Sequence, residues 1–315
     1  MDYRMTKPAV PPTIVVLGGI NMDLIGITPR LAGPGETVVG ERFYTTPGGK
    51  GGNQAVAAAR MGARVKMIGR VGEDVFGPGL IESLRGHGVD VSSVALDPDY
   101  ASGIAVILWD ANRQNHIVAI YGANTRCNGQ ELLAVERALE GADALLLQLE
   151  TPYEVSLRAA RAAKNRGVPV IWDPAPGTAG FPPETYAALD FVTPNQTEAH
   201  DLTGIKVTGI PSARDAAEAL LRKGAPVAVI KLGEAGVYYS TPKGGGHISS
   251  FDVEVTDTVA AGDAFAGAFA VALGEGKGLE EALNHGTAAG ALAVTRPGAQ
   301  DAMPSRDDVD SLLAR

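Results

Sequence analysis

From Glu131 onward the chain alternates between two kinds of segment, and this alternation limits the possible folds more than any other feature. Helix-like stretches (Glu131–Leu139, Pro152–Asn165, Ser212–Lys223) interleave with short apolar runs (Ala144–Leu149, Pro169–Trp172, Phe191–Thr193, Val227–Ile230). Short apolar runs separated by helices predict a mainly parallel sheet covered on both faces, a three-layer α/β sandwich. Thr13–Leu17, rich in β-branched residues and ending at Gly18-Gly19, reads as a buried first strand. Ligands of such sheets sit beyond the carboxyl ends of the strands. Asn21, Asp23, Glu150, Asp173, Asn195 and Glu198 all fall there.

Two pairs of earlier segments look less buried: Leu24–Thr28 with Thr37–Tyr44, and Gly103–Trp109 with His116–Tyr121. The loop from Asp110 to Asn115 makes the second pair a hairpin candidate. Together the four predict a small β lid over one face of the main body, within about residues 20–47 and 101–122. There is no internal repeat and no low-complexity linker, so residues 13–315 read as one domain. Met1–Pro12 has charge and proline but no apolar core, which predicts a disordered tail rather than a signal peptide.

Bulk properties remove several function classes. A chain of 315 residues with 45% hydrophobic content supports a substantial core. A net charge of −9, with no basic face evident, argues against a nucleic-acid partner. No apolar run reaches the roughly 18 residues needed to span a bilayer, so no membrane partner is expected. The single cysteine, Cys127, excludes an internal disulfide and fits a reducing compartment, which makes the cytoplasm the expected location. The sequon Asn195-Gln196-Thr197 then reads as accidental. The five histidines lack metal-ligand spacing, and neither a Gly-x-Ser-x-Gly elbow nor a His-Glu-x-x-His helix occurs, so hydrolase and zinc chemistry lose ground.

Four short stretches carry candidate chemistry. Asp257-Thr258-Val259-Ala260-Ala261-Gly262-Asp263 joins a strand-like run, Phe251–Val255, to an Ala-rich segment reaching Leu273. If Asp263 opens a helix, the N–H groups of Ala261, Gly262 and Asp263 share one space and attract a phosphate, because the first helical N–H groups lack internal partners. A carboxylate there is either a base for a nucleophile attacking phosphorus or an N-cap. Pro47-Gly48-Gly49-Lys50-Gly51-Gly52-Asn53-Gln54 precedes a helix at Ala55–Met61. It is a ligand-approaching glycine loop or simply a turn, and it matches neither a Walker A loop nor a dinucleotide fingerprint. Asn21 and Asp23 would share one side of an extended chain, which suits vicinal sugar hydroxyls or an Asx turn. Asn195 and Glu198, three apart, suit Mg²⁺ through hard oxygens or form a capping box.

With these residues placed, the chain from about Thr13 to Leu313 resembles the PfkB family of sugar kinases, and within it the ribokinase branch. Both family signatures are present, Gly48-Gly49-Lys50-Gly51-Gly52-Asn53-Gln54-Ala55 and Asp257-Thr258-Val259-Ala260-Ala261-Gly262-Asp263. Similar too are Asn21-Met22-Asp23, Pro34-Gly35-Glu36-Thr37, Gln148-Leu149-Glu150, Asp173-Pro174-Ala175-Pro176, Thr193-Pro194-Asn195-Gln196-Thr197-Glu198 and Thr295-Arg296-Pro297-Gly298-Ala299-Gln300. The resemblance implies a ribokinase-like α/β fold and ATP-dependent phosphorylation of D-ribose at O5. Deoxyribose, fructose or a nucleoside would be the alternative acceptor, and a non-catalytic sugar sensor the alternative class. By resemblance, Asp263 is the catalytic base, and Ala260, Ala261 and Gly262 form the anion hole around the γ-phosphate. Asn21, Asp23, Gly49, Lys50, Asn53 and Glu150 hold the sugar. Asn195, Lys231, Gly233, Gly236 and His285 lie along the nucleotide, and Glu198 is linked to Mg²⁺. Asp257, Val259 and the loop after Arg296 match a K⁺ site, although a serine common near the end of that loop is Ala302 here. The lid strands would also form a homodimer contact.

Overall fold

The computed structural model describes residues 10–112, 114–178 and 180–315. Most of the tail expected at 1–12 therefore lies outside the described residues. By Pro12, whose carbonyl accepts the Arg64 N–H, the chain is joined to the sheet. The strands are β1 Thr13–Leu17, β2 Asn21–Ile27, β3 Arg42–Gly48, β4 Arg64–Gly72, β5 Asp90–Asp97, β6 Gly103–Trp109, β7 Asn115–Ile120, β8 Ala144–Leu147, β9 Val170–Trp172, β10 Phe191–Val192, β11 Val227–Lys231, β12 Val237–Thr241 and β13 Gly244–Ile248. The helices are α1 Lys50–Arg60, α2 Gly77–Gly86, α3 Gly129–Ala138, α4 Tyr153–Lys164, α5 Pro183–Ala187, α6 Gln196–Thr203, α7 Ile210–Arg222, α8 Ala261–Gly274, α9 Leu279–Ala293 and α10 Arg306–Leu313.

Nine strands form the main sheet in the order β13-β12-β11-β10-β9-β8-β1-β4-β5. All neighbours pair in parallel except β11–β12 and β12–β13, which are antiparallel. Residues of β1 divide between its two faces: Ile14 and Val16 join one apolar cluster with α1, α8 and α9, while Val15 and Leu17 join another with α3, α4 and α7. This alternation, period two along a fully buried strand, is what produces three layers. A second sheet, in the order β3-β2-β6-β7, carries the four less buried segments. Among the described residues no helix is long and apolar enough to cross a membrane.

Several boundaries differ from the sequence expectation. The strand expected at Thr37–Tyr44 is displaced to Arg42–Gly48, since residues around Gly33–Glu36 form a turn closed by Glu36 N–H to Gly33 O. Phe251–Val255 forms no strand. Its alternating apolar residues pack without a ladder, with Phe251 against the core and Val255 exposed. The helix expected from Ala55 begins five residues earlier, at Lys50. Gly51 is there because β1 exits alongside: a Cβ on it would lie 2.6 Å from the Gly18 carbonyl carbon.

Candidate functional site

Helix α8 is almost wholly apolar and small, and its neighbours approach closely. A Cβ on Gly267 would lie 2.5 Å from the Ala57 Cβ and 2.8 Å from the Ala58 N of α1. That contact, one turn beyond Asp263, sets the start of α8 against the start of α1. As a result Asp263 Oδ2 accepts Asn53 Nδ2 at 2.9 Å and Oδ1 accepts Gln54 Nε2 at 3.1 Å. Asp263 does not open the helix. Ala260 is the N-cap residue, in the left-handed region with φ 60°, and Asp263 is the third helical residue. The N-cap reading of Asp263 therefore fails, because its carboxylate bonds across to α1 rather than to its own backbone. The first intrahelical bond runs from Ala264 N to Ala260 O. The N–H groups of Ala261, Gly262 and Asp263 precede it and are available to an anion.

The strand ends supply the rest. Asp173, just beyond β9, accepts Gln54 Nε2 at 3.1 Å and Lys231 Nζ at 2.6 Å. This places the Lys231 ammonium where a Cβ on Gly262 would be 3.1 Å away. Glu150, beyond β8, accepts the Lys50 N–H at 2.7 Å and Asn21 Nδ2 at 3.3 Å. Asn21 and Asp23 lie in β2 itself, so the chain is extended there and both face one way, as alternation predicts. A Cβ on Gly48 would lie 2.5 Å from Asp23 Oδ2, and Gly49 combines φ 83° with an approach of 2.6 Å to the Asn21 N. Neither position has room for a side chain.

Carboxylates crowd this space. Burial pushes Asp23 up to about 7, with the Asp263 charge adding to it. Burial also pushes Glu150 up to about 7, against the opposing pull of Lys50 and its N–H. Asp263 is raised mainly by burial; Lys50 opposes this, Asp173 reinforces it, and the Asn53 and Gln54 amides oppose it. For Lys50, burial alone would favour the neutral amine, but Asp263, Asp173, Glu150 and Glu198 more than reverse that and hold it cationic.

Asn195 and Glu198 form a complete capping box on α6. Glu198 oxygens accept Asn195 N and Nδ2, both at 2.8 Å, and Asn195 Oδ1 accepts Glu198 N at 2.9 Å. The structural alternative at these residues is thus real. Glu198 is also raised, by burial first and then by the Asp173 charge, so the two carboxylates act on each other at the edge of the cluster. Asn195 bridges to Lys231 through the sheet, and Lys231 leads into the Gly233–Ala235 turn and Gly236 at φ 86°. Asp257 accepts Val259 N at 3.0 Å and Gly298 N at 3.2 Å, which ties the start of the α8 loop to the loop after α9. His285 lies on α9, the helix packed against α8: its Nδ1 pairs with the Glu281 carbonyl at 2.8 Å and its Nε2 lies 4.0 Å from Asp310.

Three contributors lacked an assigned role in the sequence reading. Gln54 bridges Asp263 and Asp173, and Gln148 donates to Gln54 Oε1 at 2.6 Å. Each is a polar residue in an otherwise small or apolar buried run, and that anomaly was a usable signal. Asn124, in the 3-10 turn Gly122–Arg126, gave none.

Residues 12–306 match the pfkB family carbohydrate kinases. The chain is similar to a ribokinase of Haemophilus influenzae, 39% identical over 301 residues covering 96% of this chain and 98% of that one. It is similar to a deoxyribokinase of Salmonella typhi, 34% identical over 301 residues with 96% and 98% covered. Its structure is similar to that of Arabidopsis thaliana ribokinase complexed with ribose and ATP, with TM-score 0.89 and 33% identity over 97% of this chain and 100% of that one. The chain belongs to the pfkB family of carbohydrate kinases, and the family and fold expected from its motifs are borne out.

Proposed function

We propose that this carbohydrate kinase transfers the γ-phosphoryl group of ATP to O5 of D-ribose. The observation that carries the reading is the position of Asp263. It is a buried carboxylate of raised pKa, oriented by two amides, at the helix start where three N–H groups are available to an anion. In the reaction, Asp263 takes the O5 proton, a bond forms between O5 and the γ-phosphorus, and the bond from that phosphorus to the bridging oxygen breaks, releasing ADP. A positioned base contributes ~10²–10⁴-fold. Ala260, Ala261 and Gly262 border the transferring group, and Lys231, anchored on Asp173, adds positive charge beside Gly262. Phosphoryl transfer depends on this kind of positioning and charge neutralisation more than on covalent assistance.

The sugar lies among Asn21, Asp23, Gly49, Lys50, Asn53 and Glu150. Asn53 Oδ1 is buried with no hydrogen-bond partner among the described residues, and it is an acceptor suited to a sugar hydroxyl. The nucleotide runs over Asn195, Lys231, Gly233 and Gly236 and reaches His285, whose ring is oriented by the Glu281 carbonyl at 2.8 Å. Mg²⁺, held near Glu198 and Asp173 largely through water, would neutralise phosphate charge. The donor set is of the right kind, two hard carboxylates whose charges act on each other, with Lys231 at 2.6 Å from Asp173 alone. A monovalent cation such as K⁺ would lie between the loop of Asp257 and Val259 and the loop after Arg296, which the Gly298 N–H to Asp257 bond joins, with Ala302 contributing no side-chain oxygen. The four-stranded sheet acts as a lid that excludes water. Its exposed Phe43, Ile117, Val118 and Ile120 form a homodimer contact. The setting is cytoplasmic.

The test is ADP release measured with D-ribose, 2-deoxy-D-ribose, fructose and adenosine, with and without K⁺. The highest kcat/KM is expected for ribose. The deoxyribokinase relative makes 2-deoxyribose the second reading, and a preference for it would replace ribose. Absence of sugar-dependent ADP release with every acceptor would sink the kinase proposal.

A further inference from the structure

All four strands of the small sheet meet the main body at one seam, and one fully buried amide lies in it. Asn124 comes from the 3-10 turn that follows β7. Its Oδ1 accepts the Ile20 N–H at 2.9 Å. The two Nδ2 hydrogens are shared among three acceptors, Asn21 Oδ1 at 2.8 Å, Tyr121 O at 2.9 Å and Ile20 O at 3.1 Å. A backbone N–H can only donate, so the Ile20 contact fixes which end of the Asn124 amide is oxygen. Nδ2 must then face Asn21, and Asn21 must present its own oxygen in return. Asn21 Nδ2 is left pointing the other way, toward Glu150 Oε1 at 3.3 Å. The whole chain of orientations follows from a single main-chain donor.

The surroundings are shaped for this pair. A side chain at Gly103, the first residue of β6, would overlap both Asn21 Oδ1 and Asn124 Nδ2. Asn124 makes no bond to Glu150, Asp263 or Lys50 among the described residues, so it does not belong to the sugar-facing set.

We propose that Asn124 is a positioning residue for sugar recognition: it locks the amide of Asn21 so that its NH₂ end, not its oxygen, faces the sugar hydroxyls beside Glu150. This rests on the sugar-site reading above. With the lock absent, Asn21 samples both orientations, and the flipped form sets an oxygen against the Glu150 carboxylate. The hydroxyl that Asn21 contacts is then recognised poorly, while ATP binding and the base are untouched.

The experiment is a double-mutant cycle with Asn21→Ala and Asn124→Ala, reading KM for ribose, KM for ATP and the ratio of kcat/KM for ribose over 2-deoxyribose. Asn124→Ser, a smaller polar replacement that removes the amide, carries the test should the alanine variant not fold. Loss of one oriented neutral hydrogen bond predicts a rise in ribose KM of roughly 3- to 10-fold, with a falling ribose preference and unchanged ATP KM. The double variant should be no worse toward ribose than Asn21→Ala alone. If Asn21→Ala impairs ribose use while folded Asn124 variants behave as wild type, or if the two effects add, the positioning role is overturned and the sugar site stands. If Asn21→Ala itself leaves ribose KM unchanged, the Asn21 assignment falls and this inference falls with it.

Discussion

The two sheets of this molecule are built to different standards of packing. The nine-stranded sheet is buried on both faces by two large apolar clusters, and α1 and α8 pack on it so tightly that Gly267 has no room for a methyl group. The four-stranded sheet has a core of three buried residues, Ile25, Ala105 and Ile107, and β7 is exposed along its whole length. The groups assigned to phosphoryl transfer, Asp263 with Asn53, Gln54, Asp173 and Lys231, stand on the first. Asn21 and Asp23, assigned to the sugar, stand on the second, at the seam between the two. A base must be held to a fraction of an ångström, whereas a cover must move to admit its substrate. The difference in packing is the one that the proposed division between base and lid requires.

The sharpest test of the rigid half is Asp263→Asn. The amide retains the size and most contacts of the carboxylate but does not accept the O5 proton. Turnover should fall by at least ~10²–10⁴-fold with ribose binding preserved. Steady-state kinetics alongside calorimetric ribose titration checks both halves of the statement. Near-normal kcat would remove Asp263 as base.

The seam should respond through stability and binding together. Gly103→Val forces a side chain into the space of Asn21 and Asn124. Overpacking of this kind costs about 1–3 kcal/mol, read as a lower urea midpoint accompanied by a raised ribose KM. A lower midpoint with ribose KM unchanged would mean that the seam supports folding but not recognition.

What the sequence reveals also divides along this line. The large sheet was legible from strand–helix alternation because its strands are buried on both faces, and the locations of Glu150, Asp173, Asn195 and Glu198 followed from the strand ends. The start of α8 was placed two residues late, since an alanine in the left-handed region at 260 is not a conformation that sequence suggests. The false strand at Phe251–Val255 had the right alternation but no partner, and pairing is invisible to periodicity. In the small sheet β3 was misplaced because its residues are largely exposed and carry little pattern. Asn124 was unreadable: its role depends on a hydrogen bond to a residue 104 positions away.

The pH response distinguishes catalytic demand from stability at the same site. Asp23 and Glu150 are pushed up to about 7, and Asp263 is raised as well. In the proposed site their ionised forms accept hydroxyl hydrogens, and on that reading kcat/KM for ribose should fall as pH drops through about 7, roughly tenfold per unit for each group involved. Stability runs the opposite way. Native carboxyls of raised pKa bind more protons than the unfolded chain between about pH 4 and 7, so their contribution to the ligand-free protein is full at pH 4 and below. The protein loses that contribution, on the order of a few kcal/mol, as pH rises to about 7. Denaturation midpoints at several pH values, with and without ribose, check the sign: ribose should stabilise more at pH 8 than at pH 5.

The smallest effect on folding is expected at the exposed edge of the small sheet, and it is informative for that reason. Val118 in β7 is 61% exposed, beside Ile117 and Ile120, which are also exposed. In an isolated chain Val118→Lys removes no buried contact, so stability should stay within about ±0.5 kcal/mol. A lysine on an edge strand discourages pairing with another chain. If the small sheet owes its missing burial to a second copy, sedimentation should show Val118→Lys shifted from dimer toward monomer, with ribose KM raised because the cover has lost its support. A variant that sediments like the wild type would place any dimer contact elsewhere and leave the small sheet a thinly packed lid standing on its own.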